Sequence, residues 1–198
     1  MTNTRKVAVF CSSSPDIDQK YLDLAFDLGR AIGSCGWDLV WGAGTTSMMG
    51  AVARGARENG SQTFGVIPEK LVSVEFADRA SSELHVVTGM RERKALMENL
   101  SDAFIVLPGG IGTLEEFFEI WVGRYLGFHS KPVIVCDPFD VYGPLKKSLE
   151  HLKDLNFMKA GQEALVNWCP DLTYESSSPI WQAEIAEVTS GHQLTSRS

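Results

Sequence analysis

The chain has 198 residues, of which 44% are hydrophobic and 22% charged. Lys and Arg number 18 against 25 Asp and Glu, a formal net charge of −7. The length suits one domain with its own core, the composition excludes a disordered chain, and the acidic balance excludes general nucleic-acid binding.

Lys6–Cys11 reads as a strand that ends in a Ser12-Ser13-Ser14-Pro15 turn. A helix over Asp18–Cys35 sets Leu22, Ala25, Phe26, Gly29 and Ile32 on one stripe, and Gly36 supplies a left-handed stop. Trp37–Trp41 is a second strand. Gly42-Ala43-Gly44-Thr45-Thr46-Ser47 then leads into a helix that runs to Asn59 and stops at Gly60. Gln62–Ile67 is a third strand, ended by Pro68, and the segment Glu69–Ser82 has the weakest pattern. Next come a strand at Leu84–Thr88, a helix at Gly89–Leu100, a strand at Asp102–Leu107 and a helix at Thr113–Gly127. Pro132–Cys136 is a strand, Val141–Asn156 a helix, Ala164–Trp168 a short element and Pro179–Thr189 a last helix.

Strands that are apolar throughout and alternate with helices point to a parallel sheet covered on both faces. Right-handed crossovers make it a doubly wound, Rossmann-like α/β domain, one unit over residues 1–198 with a frayed tail at 190–198. Such a sheet takes its ligand beyond the carboxyl ends of its strands. No apolar run approaches the roughly 18–20 residues of a membrane helix, and no secretory leader pattern is present. Cys11, Cys35, Cys136 and Cys169 are scattered with no CxxC, so neither a metal site nor a redox pair is expected. The expected compartment is the cytoplasm.

Three loops after strands stand out: Ser12-Ser13-Ser14, Gly42-Ala43-Gly44 and Pro108-Gly109-Gly110-Ile111-Gly112-Thr113. Glycines between a buried strand and a helix let the backbone approach a ligand and aim its N–H groups at an anion. A phosphate is the group this arrangement serves best, although a tight packing turn would use the same residues. Thr113 followed by Glu116 also fits a capping box, in which the glutamate only receives the cap's own N–H. A carboxylate beside a phosphate seat needs a cation nearby. Arg93 is the candidate, because it shares a helix face with Leu96, Met97 and Leu100. Turned inward, it needs Glu116 or a bound phosphate; otherwise it extends to solvent. Lys94 can pair with Glu98 one turn on.

Pro108-Gly109-Gly110-Ile111-Gly112-Thr113-Leu114-Glu115-Glu116 resembles the PGGxGTxxE motif of the Lonely Guy family, the cytokinin riboside 5′-monophosphate phosphoribohydrolases once labelled lysine decarboxylase-like. Met90-x-x-Arg93-Lys94 matches the family's second signature. Smaller blocks at 9–14, 42–53, 65–68 and 126–132 extend the likeness over about residues 6–170. The resemblance implies that Arg93 and Glu116 are the catalytic pair. It implies nucleotide contacts from Met90, Lys94, Gly109, Gly110, Ile111, Gly112, Thr113, Leu114 and Glu115, with Glu75 as a further contact. Gly42 and Gly44 join this set as a second post-strand glycine loop. The implied substrate is an AMP-type nucleotide with an N6-modified adenine, cut to free base and ribose 5-phosphate by a homodimer with no cofactor. Ala43 and Ser47 depart from the family pattern at positions where glycine is frequent, Arg91 replaces a common histidine, and Gly123-Arg124-Tyr125 replaces a Trp-containing stretch.

Two other readings compete. A pyridoxal phosphate decarboxylase needs a Schiff-base lysine with a pyridinium partner, which nothing around Lys94 or Lys131 marks. A non-catalytic nucleotide carrier needs only the glycine loops, and gains nothing from a carboxylate beside them.

Overall fold

The computed structural model describes residues 4–72 and 76–169. The chain alternates strand and helix in the expected order. The strands are β1 (Lys6–Phe10), β2 (Asp38–Trp41), β3 (Thr63–Pro68), β4 (Glu83–Val87), β5 (Ala103–Val106), β6 (Val133–Cys136) and β7 (Asn167–Cys169). The helices are α1 (Gln19–Ser34), α2 (Ser47–Glu58), α3 (Met90–Leu100), α4 (Ile111–Tyr125) and α5 (Gly143–Asp154), with short 3-10 turns at Glu69–Leu71 and Glu163–Leu165. The expected helix at Pro179–Thr189 and the expected tail at 190–198 lie outside the described residues.

All seven strands are parallel and lie in the order β4-β3-β2-β1-β5-β6-β7. Alternate residues feed two cores. Val7, Val9, Leu39, Trp41 and Ile105 pack with α1 and α2, whereas Ala8, Phe10, Val40, Phe104 and Val106 pack with α3, α4 and α5. On the first face α1 and α2 approach closely: a Cβ at Gly29 would stand 2.2 Å from the carbonyl oxygen of Val52. Asp18 caps α1 by accepting the N–H of Lys20 at 3.1 Å.

The order reverses between β1 and β5, because the chain builds outward from β1 on one side and returns to pair β5 on the other. The loops that leave these strands diverge there and open a crevice. Across it the N–H of Ser12 donates to the carbonyl of Pro108 at 3.3 Å. This is the topological switch point, and it holds the site.

One element starts earlier than the sequence suggests. The capping-box reading begins α4 at Thr113, but the helix begins at Ile111 with Gly110 as its cap. Thr113 is therefore the third helical residue and Glu116 the sixth, too far along for a carboxylate to reach back to the cap's N–H. The reason is local: Thr113 is buried against Gly109, where a Cβ would meet its Oγ1 at 2.2 Å.

Candidate active site

The first N–H groups of any α-helix have no acceptor within it. In α4 the N–H of Leu114 makes the first turn's bond, to the carbonyl of Gly110 at 3.0 Å. The amides of Ile111, Gly112 and Thr113 thus form the helix's positive end, which faces a cavity of about 630 Å³. Gly110 and Gly112 carry no side chain to block it, and a Cβ on either would enter open space. Beneath the loop, the hydroxyl of buried Tyr142 lies within hydrogen-bonding reach of the carbonyls of Leu107 (3.1 Å) and Gly109 (3.3 Å). Burial pushes its pKa up, so it stays a donor. Asp137 in turn accepts the N–H groups of Val141 and Tyr142, at 3.0 and 2.7 Å.

Arg93 lines the same cavity and is 5% exposed, so the alternative of a solvent-seeking side chain is excluded. Its Nη2 donates to the carbonyl of Gly42 at 3.1 Å, and its Nη1 lies 3.8 Å from Sδ of Met90. A Cβ at Gly42 would stand 1.9 Å from that Nη2, so glycine is needed for the guanidinium to lie where it does. Glu116 lines the same cavity. It stands close to Cys11 at the end of β1, whose thiol is pushed up first by burial and then by the Glu116 charge. Buried cation, carboxylate and open amides thus meet in one space.

Of the residues expected at the site, Met90, Arg93, Gly109, Gly110, Ile111, Gly112, Thr113, Glu115 and Glu116 line this cavity. Gly42 acts behind the wall through Arg93. Gly44 is also set back: it bridges Ala77 and lies beneath Trp41, whose Nε1 donates to its carbonyl at 3.4 Å. Leu114 packs into the core on the α4 side. Lys94 does not line the cavity. It reaches from α3 to Glu115 and Glu119 of α4, and not to Glu98 as the helical spacing suggests. Burial alone would lower its pKa, but the two carboxylates outweigh that and hold it above its ordinary value. Glu75 lies outside the described residues.

The sequence reading missed several lining residues. The Ser12-Ser13-Ser14 loop singled out after the first strand does line the cavity, but Cys11 carries no mark beyond its place after that strand, and Ile17, Tyr21, Met48 and Met49 pass as core residues. No local pattern marks Tyr142. Among the described residues no cluster of ligating side chains could hold a metal ion, and no lysine lines the cavity. Lys131 lies at the far end of the sheet, with its Nζ on the carbonyl of Glu98 at 2.5 Å.

Fold and site together define a doubly wound α/β protein with an anion-receptive cleft at its switch point. A family model described as "Possible lysine decarboxylase" matches residues 49–174. A cytokinin riboside 5′-monophosphate phosphoribohydrolase of Mycobacterium tuberculosis is 48% identical over 158 residues, 80% of this chain and 84% of that protein. One of Rhodococcoides fascians is 41% identical over 169 residues, covering 85% of each. The chain belongs to this family, the Lonely Guy family that its motifs resemble. Among solved structures, the molybdenum cofactor binding protein of Rippkaea orientalis superposes with a TM-score of 0.66 at 22% identity, covering 96% of this chain and 99% of that one. That likeness is one of fold.

Proposed function

We propose that this chain hydrolyses the N-glycosidic bond of cytokinin riboside 5′-monophosphates, and of AMP-type nucleotides more broadly, to free base and ribose 5-phosphate. The observation that carries the reading is the meeting of Arg93, Glu116 and the open α4 amides in one cavity. The amides seat the 5′-phosphate. Glu116 faces the sugar, where positive charge develops as the C1′–N9 bond breaks and its electron pair leaves with the base. Water supplies hydroxide to C1′ and a proton to the base. The reaction needs no metal and no organic cofactor. A carrier of the same fold would have no use for Glu116, and a decarboxylase would need a lysine in the cleft.

A homodimer in the cytoplasm completes this reading. Val122 on α4 and Leu126 and Phe128 just beyond it leave apolar surface exposed, as a face between two copies would. Among the described residues no helix is long and apolar enough to cross a membrane. Light scattering gives the mass in solution, to be compared with the 21.8 kDa of one chain.

The kinetic test compares N6-isopentenyladenosine with its 5′-monophosphate. A nucleoside leaves the amide seat empty and forfeits one or two charge-assisted hydrogen bonds, each about 1.5–3 kcal/mol. The expected loss in kcat/KM is on the order of ten- to ten-thousand-fold. Equal specificity constants for the two would refute the phosphate seat. Glu116→Gln, with its size kept and its charge gone, should lose turnover and keep its fold; full hydrolysis by that variant would leave the carboxylate a structural role only.

A further inference from the structure

The anion seat has an acidic neighbour. Glu115 lines the same cavity as the Ile111–Thr113 amides, its side chain is 52% exposed, and Glu119 follows it one turn along α4. A bare carboxylate there would repel the phosphate that the helix end attracts. Lys94 is the counterweight: only 14% exposed, it bridges both carboxylates from α3 and stands outside the cavity lining.

Consecutive residues of α3 therefore send their cations to different places. Arg93 turns into the cavity against Gly42, whereas Lys94 turns across to α4. Resting on the proposed phosphoribohydrolase reading, we infer that Lys94 is a positioning residue that makes the site phosphate-receptive by neutralising Glu115, with no contact of its own to the phosphate. The two routes differ in one respect. If Lys94 held the phosphate directly, removing Glu115 could not restore what its loss takes away. If Lys94 only cancels Glu115, removing both returns the local field to its starting value.

The experiment is a double-mutant cycle read by calorimetry with ribose 5-phosphate, which carries the phosphate and cannot be turned over. Lys94→Gln should weaken binding about tenfold at low salt, and less at high salt, because an exposed carboxylate is screened. Lys94→Arg should keep most of the affinity. Glu115→Gln alone should tighten binding two- to fivefold, roughly the effect of removing one partly shielded like charge. The double variant Lys94→Gln/Glu115→Gln should return to within about threefold of the wild type. In turnover of the monophosphate the Lys94→Gln defect should fall on KM rather than kcat.

A double variant as weak as Lys94→Gln, or weaker, overturns the inference and makes Lys94 a direct ligand. Should Lys94→Gln fail to fold, Glu115→Gln still decides: no gain in affinity overturns the inference. The two proposals fail separately. A wild type that binds ribose 5-phosphate with this pattern but cleaves no nucleotide loses the enzymatic reading and keeps the electrostatic one.

Discussion

Two glycine loops follow strands on the same side of the sheet, and they are used in opposite ways. The loop after β2, Gly42–Ser47, is buried over Gly42–Gly44 and spends its groups internally. Gly42 receives Arg93, Asp78 donates its N–H to the carbonyl of Ala43 at 2.8 Å, and the Thr45 hydroxyl donates to the carbonyl of Phe76 at 2.8 Å. The loop after β5, Pro108–Thr113, keeps its amides open, and Ile111 is 89% exposed. One loop shapes the wall and the other forms the proposed phosphate seat. Glycine content alone does not separate these roles; what the missing Cβ would meet does.

The largest expected effect lies in the loop that shapes the wall. Gly42→Ala puts a methyl where Nη2 of Arg93 now lies, with Sδ of Met49 only 3.3 Å away on another side. The guanidinium is the end of a flexible side chain, so it can move and the fold should survive. A displacement of about 1 Å at a reacting centre costs on the order of a hundredfold. The expected outcome is a folded protein whose kcat/KM falls a hundredfold or more. A variant with near wild-type kinetics would show that the Arg93–Gly42 bond is incidental.

Gly112→Ala probes the receiving loop and should divide stability from binding. The added Cβ meets nothing, and alanine is favoured over glycine inside a helix by roughly 0.5–1 kcal/mol. Melting temperature should therefore rise slightly. The methyl narrows the approach to the amides, and KM for the monophosphate should rise about three- to tenfold. A rise in stability with KM unmoved would place the phosphate elsewhere.

Much of this contrast could be read from the sequence. The first six strands are legible to within a residue, because apolar runs such as Ala103–Val106 are bounded by turn-forming residues, whereas the short element expected at Ala164–Trp168 is a 3-10 turn at Glu163–Leu165 followed by β7 at Asn167–Cys169. Arg93 is legible as inward-facing from its phase with Met97, and the structure buries both. The start of α4 is not, because Gly110-Ile111-Gly112 looks like loop on propensity and Thr113 looks like a cap. The close packing of Thr113 onto Gly109, four residues back along the chain, decides it. Lys94 is misread for a related reason. Helical spacing offers Glu98 as a partner within α3, but only the packing of α3 against α4 brings Glu115 and Glu119 to it. Tyr142 is silent because its role depends on two carbonyls more than thirty residues away.

The smallest effect concerns the departures from glycine in the first loop. Ala43 and Ser47 both adopt left-handed backbone, with φ of 61° and 54°. An L-residue pays roughly 1–2 kcal/mol there, a cost that glycine escapes. Ser47 has a compensation: its hydroxyl donates to the carbonyl of Ser14 at 2.5 Å, tying the start of α2 to the loop after β1. Such a bond contributes about 0.5–1.5 kcal/mol net. Ser47→Ala keeps the strain and loses the bond, so it should destabilise by about 1 kcal/mol. Ser47→Gly loses the same bond but relieves the strain, and its stability should stay within about 0.5 kcal/mol of the wild type. Denaturant unfolding of the two variants measures the difference. Equal losses for alanine and glycine would mean that position 47 carries no backbone strain, and that serine stands there for its hydroxyl alone.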